Sequence, residues 1–229
     1  MTDHPHGITV VEDADVRGFL HAPPGQPVGA LALTHGAGGN CDARILVDIA
    51  DRWSSAGLLV LRFDLAFRRS KPKGPPHSSK ADTDRASIVS AARRLADLAA
   101  GTGPLLVGGH SYGGRQASMI CAEQPDLAQG LLLLSYPLHP PGKPEKARTA
   151  HLPDITVPTF AVSGTRDPFG APEELRDALA LVPARTELVL VDGAGHDLSA
   201  AKHAAAKTTV TAASTFFALA TRDRTATSR

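Results

Sequence analysis

At 229 residues the chain suits one large domain with a full hydrophobic core. With 42% hydrophobic and 21% charged residues and a formal net charge of +1, it gives no general electrostatic argument for nucleic acid or an acidic membrane surface. Two cysteines, Cys41 and Cys121, rule out a disulfide framework and suit a reducing compartment. No signal-peptide pattern opens the chain and no apolar run approaches a membrane span, so a cytoplasmic location is expected.

In chain order, "GITVV" and "VRGFLHAP" predict an antiparallel hairpin at a sheet edge. From Gly29 onward, apolar runs alternate with amphipathic stretches. "VGALALTHG", "GLLVLRFD", "PLLVGG", "GLLLLS", "TFAVSG" and "TELVLVDG" have the unbroken apolar pattern of strands buried on both faces. Helices are expected over about 42–56, 82–99, 114–123, 172–181 and 202–219, with Asp82 or Thr83 capping the second and Pro172 in a first turn. Such alternation predicts a mostly parallel sheet with right-handed crossovers and helices on both faces. Residues 1–222 are read as a single α/β domain, and 223–229 as a polar tail.

Two loops stand out. Residues 68–80, "RRSKPKGPPHSSK", are basic and rich in proline and serine. They read as a solvated loop first and as an anion attractor second. Residues 136–154, "YPLHPPGKPEKARTAHLPD", follow a strand and are too short for a lid domain. As the only evident cover, they imply a shallow or partly open pocket for small acyl groups.

The chemistry gathers at predicted strand ends, where ligands collect in such sheets. "LLVGG" runs into Gly109-His110-Ser111-Tyr112-Gly113, a G-x-S-x-G elbow in which small residues let a serine sit on a tight strand-to-helix turn. Asp167 follows "TFAVSG" and His196 follows "TELVLVDG". A serine hydroxyl needs a base, and an imidazole needs a carboxylate to fix its tautomer. Ser111, His196 and Asp167 are therefore the expected catalytic set, with Asp192 and Asp154 as rival acids. His35 and His110 fit loop-orienting roles better than that of the base. His139 and His151 could line the pocket. The cysteines read as buried fillers, and the spacing offers no metal cluster, dinucleotide fingerprint or Walker pattern. No cofactor and no metal are expected.

The segments "HGAGG", "GLLVLRFD", "GGHSYGGRQAS", "SGTRDPFG" and "DGAGHD" make the chain resemble α/β-hydrolases of the dienelactone-hydrolase-like branch. It is also similar to testis-expressed and histone-acetyltransferase-complex proteins of that fold. The resemblance covers about 29–219. It implies a serine esterase or related acyl hydrolase that forms an acyl-enzyme on a small ester or thioester. It also implies an oxyanion hole from the backbone of Tyr112 and Ala37, with Gly38 as the fallback. Gly38, His139 and Arg148 are the expected substrate contacts. Dienelactone hydrolases proper carry cysteine at the elbow, where this chain has Ser111, so dienelactone is not the expected substrate. Two alternatives stand beside the esterase: a non-catalytic scaffold or complex subunit, and a non-hydrolytic member of the fold.

Overall fold

The computed structural model describes residues 7–198 and 202–219, the side chains of 202–208 excepted. The tail expected at 223–229 lies outside them. Eight strands form one sheet: β1 (Ile8–Glu12), β2 (Arg17–His21), β3 (Ala30–Thr34), β4 (Leu59–Phe63), β5 (Leu105–His110), β6 (Gly130–Leu134), β7 (Thr159–Gly164) and β8 (Thr186–Val191). Their order is β1-β2-β4-β3-β5-β6-β7-β8. β1 and β2 pair antiparallel, β2 pairs antiparallel with β4, and every later pairing is parallel. The edge hairpin and the parallel sheet are both as the sequence leads one to expect.

The apolar runs work because alternate residues serve opposite faces. Ala30, Ala32, Leu131 and Leu133 join one core with Ile88 and Leu95 of α3 (Ala81–Ala99) and Ile120 of α4 (Tyr112–Glu123). Leu31, Leu33, Leu132 and Leu134 join the other with Leu46, Ile49 and Trp53 of α1 (Arg44–Ser55) and Phe216 of α6 (Lys202–Phe216). Each face is thus sealed by its own helices, and β3 to β7 lie between two hydrophobic layers.

Three local expectations need correction. α2 (Ala66–Ser70) opens the basic loop and went unread, since five residues are too few for helical periodicity to show. Neither Asp82 nor Thr83 caps α3, because a 3₁₀ turn, Ser78–Lys80, leads into it and the helix begins at Ala81. His77 receives the Ser79 amide there, at 3.4 Å. α4 begins at Tyr112, two residues before the expected start, because the turn at Ser111 passes directly into it. α5 (Pro172–Leu179) does carry its proline in the first turn, and Glu174 accepts the Ala171 amide at 2.7 Å.

Candidate active site

The strand order decides where a site can form. From β3 the chain crosses through α1 to β4 on one side, then returns through α3 to β5 on the other. The carboxyl ends of β3 and β5 therefore sit side by side where the connections diverge and leave a crevice. The loops at those two ends are His35–Gly39 and the elbow.

Ser111 occupies the elbow with φ 50° and ψ −118°, a conformation non-glycine residues avoid and tolerate only where the surroundings enforce it. The enforcement is steric. A Cβ on Gly109 would meet the Gly113 carbonyl carbon at 2.7 Å, and one on Gly113 would meet the His35 carbonyl oxygen at 2.4 Å. The strand, the turn and the β3 loop approach closely because those side chains are missing. Behind the elbow, the Tyr112 hydroxyl donates to the fully buried Asp84 at 2.8 Å, and Asp84 also takes the Phe67 amide at 2.9 Å.

Across the crevice, His196 Nε2 lies 2.7 Å from Ser111 Oγ, and His196 Nδ1 lies 2.9 Å from Asp167 Oδ2. Asp167 is buried and also accepts the Phe169 amide at 2.9 Å. With the proton on Nδ1 facing the carboxylate, Nε2 is left to accept the serine hydroxyl. The His196 ring lies against that of Phe169, centroids 4.1 Å apart. Its backbone carbonyl takes a hydrogen bond from His110 Nε2 at 2.8 Å. Burial is the main cause that lowers the pKa of His110, so its ring stays a neutral donor. Asp192 is exposed and receives the Thr165 hydroxyl at 3.3 Å, and Asp154 is exposed at the end of the proline loop.

The β3 loop is held from behind. The Gly39 amide donates to Gly36 O at 3.1 Å, so Ala37 and Gly38 are the central residues of a β-turn, whose own amides the turn leaves unbonded. His35 is fully buried; its Nδ1 lies 2.8 Å from Gly36 O and its Nε2 accepts the Leu65 amide at 3.2 Å. Fixing Gly36 O fixes the planar peptide whose far side carries the Ala37 N–H. Arg68 completes the support. Its buried guanidinium donates to Gly39 O at 2.7 Å, Ala37 O at 3.1 Å, Gly74 O at 3.1 Å and Lys71 O at 3.2 Å. The root of the basic loop is therefore an internal brace and not a solvated surface. The Tyr112 amide, first in α4, has no acceptor within its own helix.

A cleft of about 1030 Å³ opens over Ser111. Ala37, Gly38, Tyr112, Arg148, Phe169 and His196 are on its wall. His139 is not: it is buried against the loop, with Nδ1 2.9 Å from Pro140 O and Nε2 3.1 Å from Glu174, so its expected substrate contact is withdrawn. His151 likewise turns inward, 2.7 Å from Ser118 Oγ, where burial pulls its pKa down to about 4. The expected cover also needs correction. Pro76, His77, Ser78 and Ala81 wall the cleft together with Pro137 and Arg148, so both long loops contribute. The cleft's volume is at the upper end of the roughly 300–1,000 Å³ common for small-ligand sites, and the cleft is partly open, as expected. Phe169 was missed, although it lies in the "DPFG" that begins at Asp167; residues 68–80 read in the sequence as a solvated loop or an anion attractor, not as a brace and a cleft wall.

Burial raises the pKa of both thiols, Cys121 to about 12, which leaves them unreactive fillers. Among the described residues no group of three or more metal-ligating side chains could hold a metal ion, and no helix is long and apolar enough to cross a membrane.

An eight-stranded sheet with an antiparallel edge hairpin, an elbow after β5 and a glycine loop after β3 define an α/β-hydrolase fold. Residues 27–221 match the Alpha/beta hydrolase domain family, and the chain belongs to it. The fold is shared with a dienelactone hydrolase from Anabaena variabilis (TM-score 0.71, 21% identity, 93% of this chain and 98% of that one covered). It is shared equally with an alpha-beta serine hydrolase homologue from Coxiella burnetii (0.71, 14%, 93% and 99%). A serine hydrolase without a lid from Xanthomonas campestris is similar too (0.71, 16%, 96% and 99%).

Proposed function

We propose that the protein is a serine esterase or related acyl hydrolase that works through an acyl-enzyme on a small-molecule ester or thioester. The observation that carries this reading is the continuous relay from Asp167 to His196 to Ser111, at 2.9 and 2.7 Å, at the floor of an open cleft. Membership of a hydrolase family supports the same reading. Ser111 attacks the carbonyl carbon as His196 Nε2 takes the hydroxyl proton, and Asp167 holds the imidazole and stabilises its charged form. The oxygen that becomes negative is met by the amides of Ala37 and Tyr112, whose peptides are fixed before substrate arrives. His196 returns the proton to the leaving group, then activates a water that frees the acid and restores Ser111. Nothing in this sequence calls for a metal or a cofactor.

The test is a series of 4-nitrophenyl esters from acetate to octanoate, assayed with wild type and Ser111→Ala. The reading expects turnover that the substitution abolishes in folded protein. Turnover that Ser111→Ala retains would overturn it.

A further inference from the structure

Among the described residues, two arginines on the cleft wall have no counter-ion. Arg115 lies four residues after Ser111 on α4, so it shares a helix face with the serine one turn on, and its amide donates to Ser111 O at 2.9 Å. Among the described residues its guanidinium makes no hydrogen bond or ion pair, and its Nε is buried without a partner. Arg148 reaches the same cleft from the proline loop. Its backbone is pinned by Tyr136 and Leu138, while among the described residues its guanidinium donates only to Pro137 O, at 2.8 Å.

Other buried or cleft-wall arginines are satisfied by carboxylates or, like Arg68, by four backbone carbonyls. Arg44, also on the cleft wall, pairs with Asp48 at 2.9 Å; Arg62 pairs with Asp42 at 2.7 Å and Arg17 with Asp64 at 2.7 Å. The charge of Arg115 is instead felt by Tyr112, Tyr136, His151 and Arg148. Burial first, then the charge of Arg115, weakens the hold of Arg148 on its proton. Arg115 also stands in the first turn of a helix, where the dipole already presents positive charge. Two guanidinium groups without a carboxylate partner among the described residues, lining the same cleft as Ser111, suit an anion, because their planar forks match carboxylate and phosphate oxygens.

We propose that the substrate of this cleft is an ester or thioester that also carries a carboxylate or phosphate, held by Arg115 and Arg148 while its carbonyl meets Ser111. The proposal rests on the hydrolase reading above and narrows it to anionic substrates.

A matched pair of esters tests it: 4-nitrophenyl hexanoate, neutral, and 4-nitrophenyl hemiadipate, with a carboxylate at the far end of the acyl chain. Wild type is expected to favour the hemiadipate by about 10- to 100-fold in kcat/KM, and the double variant Arg115→Gln/Arg148→Gln to bring that ratio close to one. Arg115→Lys/Arg148→Lys, which keeps the charges but loses the forks, should retain part of the preference. Competition by adipate or by inorganic phosphate then tells which anion fits better. Titration of adipate and phosphate into Ser111→Ala protein by calorimetry separates this idea from the esterase reading. Binding there that the arginine substitutions abolish supports the anion site even if neither ester turns over. An ester ratio unchanged by the substitutions, or no binding of either anion to folded protein, overturns it.

Discussion

The two halves of the site are held in different ways. On the serine side, position is a matter of steric fit: Gly109 and Gly113 let three backbone segments touch, and any added atom has nowhere to go. On the histidine side, position comes from hydrogen bonds between side chains and backbone, as Asp167 takes the Phe169 amide and His110 reaches the carbonyl of His196. The β3 loop combines the two, since its glycines make the turn and Arg68 and His35 hold its carbonyls. A sterically built half should fail by losing the fold, whereas a hydrogen-bonded half should fail by losing activity in a folded protein.

The sharpest contrast comes from the acid. Asp167→Asn keeps the shape but offers the wrong partner to His196 Nδ1, and turnover should fall roughly 10³- to 10⁴-fold. The urea midpoint should hardly move. Asp192→Asn should leave ester turnover unaltered; the reverse pattern would transfer the role to Asp192.

Gly113→Ala should show the opposite behaviour. Its new methyl would stand 2.4 Å from the backbone oxygen of His35, which cannot swing aside like a flexible side chain. A loss of about 2–4 kcal/mol is expected in urea unfolding, with activity falling as the fold loosens. A variant as stable as wild type would show that the elbow is less crowded than these contacts imply.

Arg68→Met should fall between the two. It removes four donors from carbonyls of two loops while preserving much of the packing volume. About 1.5–3 kcal/mol of stability should go, and turnover should drop about 10- to 100-fold as the Ala37 loop loses its brace. Unchanged turnover would detach Arg68 from the chemistry and leave it a purely structural residue.

The smallest effect is a pH dependence of stability. His35, His110 and His151 all have pKa values lowered by burial, so each binds a proton more readily unfolded than folded. Their contribution is full above about pH 6.5 and lost as pH falls toward the folded values, by at most about 1.4 kcal/mol per pH unit for each group. His139 works the other way, because Pro140 O and then Glu174 raise its pKa; its contribution is present below pH 6.5 and lost as pH rises through its folded value. Melting temperatures from pH 7 to 5 should fall on balance, and His151→Asn should make the slope shallower. An identical slope in that variant would remove His151 from the account.

The same division explains what could be read in advance. The strands were legible because residues such as Leu131 to Leu134 are apolar on both faces, and the elbow because close backbone approach leaves glycines in the sequence. Asp167 and His196 were singled out by their places at strand ends, and the fold brings both to Ser111. Arg68 was not: an arginine in a proline- and serine-rich stretch reads as exposed, and only the folded chain shows four carbonyls converging on it. The turn of His139 toward Glu174 and the reach of residues 76–78 over the cleft depend on packing between distant loops, which leaves no local pattern.

The central claim is that Ser111 is a nucleophile activated by His196. Incubation with a fluorophosphonate, followed by intact-mass measurement and peptide mapping, addresses it directly. The account predicts one adduct per chain on Ser111, formed quickly in wild type and at least about 10²-fold more slowly in folded His196→Ala. No adduct on folded wild type, or an adduct on another residue, would contradict it.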